Sequence, residues 1–187
     1  REMERFEESV KILQTLVEKH PKFAEGYADL AKSLASAGKF EDAIAQGKRA
    51  IELAPDRPEA HNALAMVLAE AKQYTPAIQA AKHALRIRPN FCPAMMTLGW
   101  IHRQLDQNVD AALWYERAWE VDPMNTDAQL WLFDVYYQLK EPEKALQAAE
   151  RALAKNPQDS NLHFNRSIAL LVLGRYVEGF EEYEFRS

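Results

Sequence analysis

The amino-acid sequence predicts an all-α protein of stacked helix-turn-helix units, and three sets of columns predict it. Proline recurs at Pro21, Pro55, Pro89, Pro123 and Pro157, a constant spacing of 34 along the 187 residues. Leucine recurs with the same period at Leu30, Leu64, Leu98 and Leu132. Small residues do so twice, at Ala43, Ala77, Ala111, Ala145 and Gly179, and at Ala50, Ala84, Ala118 and Ala152. A fixed period of this length marks an array in which each repeat is one supersecondary unit.

Placing the prolines at position 32 gives the domain organisation. A half repeat covers 1–23. Full repeats cover 24–57, 58–91, 92–125 and 126–159, and a partial final repeat covers 160–187, all in one array. Positions 4, 7, 8 and 11 share one face of a first helix, A, at about 3.6 residues per turn. Small residues at positions 8, 20 and 27 let helix backbones approach closely. The proline stands just past the second helix, B, which it cannot continue.

Each element follows from this frame. The half repeat contributes a B helix at 4–19, closed by Pro21. Helices A and B of the next repeat fall at 24–37 and 40–53, with Gly38 suited to the turn between them. The second pair falls at 58–71 and 74–87, with Thr75 an expected N-cap and Pro76 in the opening turn of helix B. The third falls at 92–105 and 108–121. The fourth falls at 126–139 and 142–155, opened by Pro142. The last falls at 160–173 and 176–186, separated by Gly174. Three departures stand out. Asn108 and Pro142 replace the aromatic of Phe6, Phe40 and Tyr74. Phe133 occupies the small column at position 8, and Arg166 replaces the column leucine.

The segment GYADLAKSLASAGKFEDAIAQGKRAIELAPD at 26–56 resembles the tetratricopeptide repeat (TPR) family, and the resemblance extends over essentially the whole chain. It implies a right-handed α-α superhelix, a TPR solenoid, with the A helices lining a concave groove. The constant spacing of 34 and the acidic balance disfavour the rival 35-residue RNA-binding helical repeats. The closing stretch LLVLGRYVEGFEEYEFR at 170–186 resembles the end of bacterial TPR arrays that run into a glycosyltransferase-like domain. The half repeat leaves Phe6, Leu13 and Leu16 without a preceding A helix, so the chain is expected to be part of a longer protein.

Composition excludes several function classes. A single cysteine, Cys92, permits neither an internal disulfide nor a Cys-rich zinc site. A formal net charge of -5 argues against a nucleic-acid surface. No stretch approaches the ~20 apolar residues of a membrane span. No signal-peptide pattern is visible, and a cytoplasmic setting is the expectation, with the natural start expected upstream of Arg1. Phosphate loops, nucleophile elbows and metal-ligand pairs are absent. The histidines at positions 4 and 11, His61, His163 and His102, read as packed between helices. The run Glu178, Glu181, Glu182 and Glu184 reads as a solvated face. Neither catalysis nor a cofactor or metal is expected.

A solenoid binds along its extended inner surface. The stripe opposite the core face, positions 2, 5, 9 and 12–13 of helix A, therefore holds the candidate site. It includes Asn62, Met66, Met96, Trp100, Arg103, Leu130, Asp134, Tyr137, Phe164 and Ile168. So many apolar and aromatic residues on a nominally solvent-facing stripe point to an interaction surface. The expected partner is a protein segment, a peptide or helix with apolar anchors. Trp100 and Tyr137 would hold it, Arg103 and Asp134 would orient it, and Asn62 would offer an amide. Packing of this stripe within the array, or against further chain, is the alternative. The carboxylate-clamp pattern of chaperone-binding family members is not met: of Ala28, Lys32, Ala63, Pro93 and Thr97 only Lys32 fits. The asparagine ladder of the O-linked N-acetylglucosamine transferases is also absent, with Asn62 and Asn165 isolated. An interaction scaffold is thus the first functional reading. The alternative is the substrate-recruiting or regulatory TPR portion of a larger enzyme such as a glycosyltransferase. Self-association through the uncovered ends is a further possibility.

Overall fold

The computed structural model describes residues 2–185, with side chains from residue 7 onward. The expectations placed on Phe6 and Arg186 lie outside those described residues. Eleven helices and no strands are found among them: α1 (Glu2–Lys19), α2 (Ala24–Ser36), α3 (Phe40–Leu53), α4 (Pro58–Glu70), α5 (Tyr74–Ile87), α6 (Cys92–Gln104), α7 (Asn108–Val121), α8 (Thr126–Gln138), α9 (Pro142–Leu153), α10 (Ser160–Val172) and α11 (Tyr176–Glu184). Their bounds follow the 34-residue frame closely.

The turn from helix A to helix B repeats one geometry. Position 15 is left-handed in all five repeats: Gly38 and Gly174 at φ 76, Lys72 at φ 60, Asp106 at φ 57 and Lys140 at φ 59. In the first, Gly38 N donates to Ala35 O at 2.8 Å and Lys39 N to Leu34 O at 2.9 Å. The other four carry the same pair of bonds. This is the Schellman arrangement, which satisfies the last carbonyls of helix A. Glycine meets the left-handed requirement freely, whereas Lys72, Asp106 and Lys140 meet it at a steric cost.

Helix starts vary more. Asn125 caps α8 by accepting from Ala128 N, and Asp159 caps α10 by accepting from Asn161 N and Leu162 N. Thr75 is not an N-cap: α5 begins at Tyr74, its N-cap is Gln73, and no side chain closes that end. The Schellman turn sets the cap at Gln73, two residues before the threonine. Pro142 does open α9.

The chain divides into two compact units, Arg1–Thr97 and Leu98–Ser187, meeting within α6. In the first, α2 packs on α3, α4 on α5, and α2 on α4. One apolar cluster joins Val10 and Val17 of α1, Leu30, Ala31 and Leu34 of α2, Ala43 of α3 and Val67 of α4. Leu13 packs against that cluster, yet it and Leu16 stay half-buried; among the described residues of α1, Ile12 is the exposed large apolar side chain. In the second unit, α7 packs on α8, α8 on α9, and α10 on both α9 and α11. Leu98, Ile101, Tyr115, Leu132, Val135, Leu162 and Leu170 are its large, fully buried apolar side chains. Each such side chain contributes roughly 1.5–3 kcal/mol through removal from water.

The small columns are buried as the period requires: Ala43, Ala77, Ala111, Ala145, Ala50, Ala84, Ala118 and Ala152 all show 0% exposure. The irregular repeats are reconciled by exchange of size between positions 8 and 24. Gly99 at position 8 accompanies Tyr115 at position 24, whereas Phe133 at position 8 accompanies Ala149. All four are buried. Arg166 has partners of its own: its Nη1 donates to Glu182 of α11 at 2.7 Å, and it pairs with Glu150 of α9. Glu182 is therefore an internal carboxylate, with a side chain 13% exposed, and not part of a solvated face.

Candidate peptide-binding face

The predicted stripe is distributed over both units, and its members differ in accessibility. In the first unit Asn62 is buried, and its amide Nδ2 is placed toward Met66 Sδ at 3.8 Å. It thus faces along its own helix, not solvent. Met66 is exposed and Met96 half-buried. In the second unit Trp100, Arg103, Leu130, Asp134, Phe164 and Ile168 are half-buried, and Tyr137 is exposed. Partial burial of the apolar members by neighbouring helices explains why the fold tolerates them there.

Arg103 of α6 and Asp134 of α8 are brought together. Arg103 Nε donates to Asp134 Oδ2 at 2.8 Å. Gln138, one turn on, donates to the same oxygen at 3.3 Å, and Asn108 donates to Gln138 Oε1. The expected orienting groups are thus an internal pair that fixes α6 against α8. The side chains are 25% and 37% exposed, so the pair is only partly shielded and its net stabilisation stays near that of surface pairs.

Trp131 is a residue that the sequence reading missed. Its ring lies under the Arg103 guanidinium, 4.9 Å from the ring centre. It also stacks with Tyr115 at 6.4 Å and 16°. The side chain remains 36% exposed. The signal was available: position 6 lies about 60° around the helix from position 9, at the edge of the stripe's sector and next to position 13. Tyr137 stacks on Phe133 at 6.1 Å and stays 47% exposed.

Below this face the polar groups are held internally. Burial pushes the Tyr115 hydroxyl far above the usual tyrosine range, with the Asp134 charge acting in the same direction and Arg103 opposing it. Tyr136 is raised as well, first by burial and then by the charge of Glu116, to which its hydroxyl donates at 3.0 Å. Arg151 donates to both oxygens of Glu116, at 3.0 and 2.9 Å. This geometry stabilises neutral phenols and suits neither tyrosine to proton transfer. His61 and His163 each direct Nε2 at the carbonyl of the preceding repeat's proline, Pro55 and Pro157, at 2.8 Å. A carbonyl only accepts, so Nε2 carries the proton in both. Among the described residues, no group of three or more His, Cys, Asp or Glu is placed to hold a metal ion. No helix there is long and apolar enough to cross a membrane.

Period, paired helices and stripe define an α-helical repeat protein of the helix-turn-helix kind. Two tetratricopeptide repeat family models match, one over residues 1–58 and 28–90 and the other over 103–171. The chain belongs to the tetratricopeptide repeat family. Solved structures agree in fold. TTC0263 from Thermus thermophilus aligns with a TM-score of 0.76 at 18% identity, over 89% of this chain and 91% of that one. A MamA fragment from Desulfovibrio magneticus gives 0.71 at 20%, over 86% and 91%. YrrB, described as a TPR protein with an unusual peptide-binding site, gives 0.67 at 19%, over 95% and 92%. At these identities the likeness establishes the fold. No curated protein sequence matches the chain.

Proposed function

We propose that the chain is a protein-interaction scaffold that holds a peptide or helix of a protein partner and performs no chemistry itself. The carrying observation is Tyr137, an aromatic side chain 47% exposed on the inner stripe and backed by Phe133. Trp131 and the partly open Arg103–Asp134 pair lie on the same helix-A faces of the second unit. Trp, Tyr and Arg dominate interface energetics, and each large apolar side chain covered contributes roughly 1.5–3 kcal/mol. Two or three anchors of that size support micromolar binding once association entropy is subtracted. The peptide-binding site described for YrrB makes a peptide the first ligand to test.

Peptide display against the full chain and against Tyr137→Ser is the test. Peptides with apolar anchors should be enriched on the parent and lost by about tenfold or more in affinity on the variant, with an unchanged melting temperature. Enrichment of peptides without apolar anchors, or equal binding to both proteins, would sink this reading.

A further inference from the structure

Position 22 of the B helix is exposed in α3, α5, α7 and α9 alike. It holds Ala45, Gln79 and Gln147 in three of them, but Leu113, 49% exposed, in α7. Position 18, one turn earlier, shows the same contrast: Glu41, Thr75 and Glu143 against Val109, 72% exposed. Position 23 is Gln46, Ala80 and Ala148 elsewhere and the half-buried Trp114 in α7. The patch lies mid-chain, with whole repeats before and after it, so it is a property of the third repeat. Large apolar side chains gathered on a face that the other repeats keep small or polar mark a contact surface.

The charges on this face select the occupant. Asp110, Leu113, Trp114 and Arg117 stand at i, i+3, i+4 and i+7, one face of α7. Asp110 and Arg117 are exposed, and neither makes an ion pair among the described residues. Arg117 rests on the Trp114 ring, 4.9 Å from its centre. Glu116 is turned away to Tyr136 and Arg151, and Glu120 stands about 70° around the helix from the centre of the face. The occupant must therefore offer a base opposite Asp110 and an acid opposite Arg117, two turns apart, with apolar side chains between them. A uniformly basic or acidic helix satisfies one end and is repelled at the other. A second α7 running antiparallel meets every term. Asp110 then faces Arg117 of the second copy, Arg117 faces its Asp110, and Leu113 lies beside its Trp114. Parallel pairing would set like charges together. We propose that this face joins two copies of the chain through a two-fold, antiparallel contact of α7 with α7. A contact of two or three helical turns falls below the ~1,200 Å² of stable interfaces, so the dimer is half-formed at roughly 10–100 μM. The A-helix stripe takes no part in it.

Sedimentation of the full chain from about 5 to 500 μM tests this. The parent should pass from monomer to dimer across that range. Leu113→Gln, which installs the residue of α5 and α9, should weaken the dimer about tenfold or more. Asp110→Arg alone sets Arg against Arg, and Arg117→Asp alone sets Asp against Asp, so each should also be monomeric over most of the range. An equimolar mixture of those two variants restores opposite charge at both ends and should dimerise again, which antiparallel pairing alone explains. All three side chains are exposed, and thermal melts confirm that each variant is folded. Tyr137→Ser should dimerise as the parent does. A parent that stays monomeric throughout overturns the proposal. A dimer that Leu113→Gln leaves intact, or that Tyr137→Ser removes, belongs to another surface and overturns it too. Charge variants that do not regain the dimer on mixing overturn the antiparallel α7 contact.

Discussion

Gly99 of α6 sits directly against the ring of Tyr115 of α7: a Cβ built at Gly99 would lie 2.5 Å from Cε1 and 2.7 Å from Cδ1. Tyr115 is fully buried, so its ring has nowhere to move. Gly99→Ala is therefore expected to destabilise the second unit by about 1–3 kcal/mol through overpacking, more than the ~1 kcal/mol of helix propensity it gains. A thermal melt checks this. Adding Tyr115→Leu to Gly99→Ala should recover part of the loss, because the two positions exchange volume.

The left-handed turn column yields a prediction of opposite sign. Lys72 and Lys140 hold φ of 60 and 59, a conformation that costs a non-glycine residue roughly 1–2 kcal/mol. Glycine removes that strain but orders more backbone, at about 0.5–1 kcal/mol. Lys72→Gly and Lys140→Gly should each stabilise by several tenths of a kcal/mol up to about 1 kcal/mol. Gly38→Ala and Gly174→Ala should destabilise by a similar amount. Urea midpoints at unchanged slope read both effects.

These residues also mark how far the sequence is legible. The proline and alanine columns disclosed the helix bounds because burial at a fixed period admits only small residues and helix terminators. Gly38 and Gly174 disclosed their turns, but Lys72 and Asp106 did not, since nothing in a lysine announces a left-handed backbone. Arg166 read as an oddity because its partners are a helix away at Glu182 and Glu150. Trp100, Leu130 and Ile168 are half-buried, which depends on how neighbouring helices crowd them, and periodicity does not encode that. Arg103 and Asp134 were read as two separate ligand contacts. Their mutual pairing was missed because they lie 31 residues apart.

Acid should weaken the first unit through His83. Its ring stacks on His61 at 4.1 Å, and its Nδ1 accepts from Arg86 at 2.8 Å. Arg only donates, so that bond needs an unprotonated Nδ1. Burial, then the charges of His61 and Arg86, hold His83 below the ordinary histidine value. The unfolded chain therefore binds this proton more readily than the folded one, and stability rises with pH across the interval. The contribution is complete above about pH 6.5 and is lost as pH falls below it. The melting temperature of the parent should drop between pH 7.5 and pH 5.5, and His83→Gln should drop less. Equal drops in the two proteins would remove His83 as the cause.

The last helix is held by a charge cluster that the leucine column should be able to replace. Glu182 of α11 accepts from Arg166 Nη1 at 2.7 Å and bonds His163 Nδ1. Glu182 and His163 are 13% and 11% exposed, while Arg166 at 31% reaches toward solvent. Glu182→Ala takes the carboxylate from the shielded His163 Nδ1 and leaves Arg166 with Glu150, so it should cost about 1–3 kcal/mol. Amide exchange in α11 should rise first, because the helix loses its bonds from Glu182 to Arg166 and His163 of α10. Arg166→Leu alone should also destabilise, by taking from the shielded Glu182 its bond to the guanidinium. The double variant Arg166→Leu/Glu182→Leu restores the residue that Leu30, Leu64, Leu98 and Leu132 supply in the other repeats. It should be neutral or more stable than the parent, since a well-packed apolar pair often matches a desolvated ion pair. A double-mutant cycle isolates the coupling. Additive losses would show that the cluster does not act as a unit.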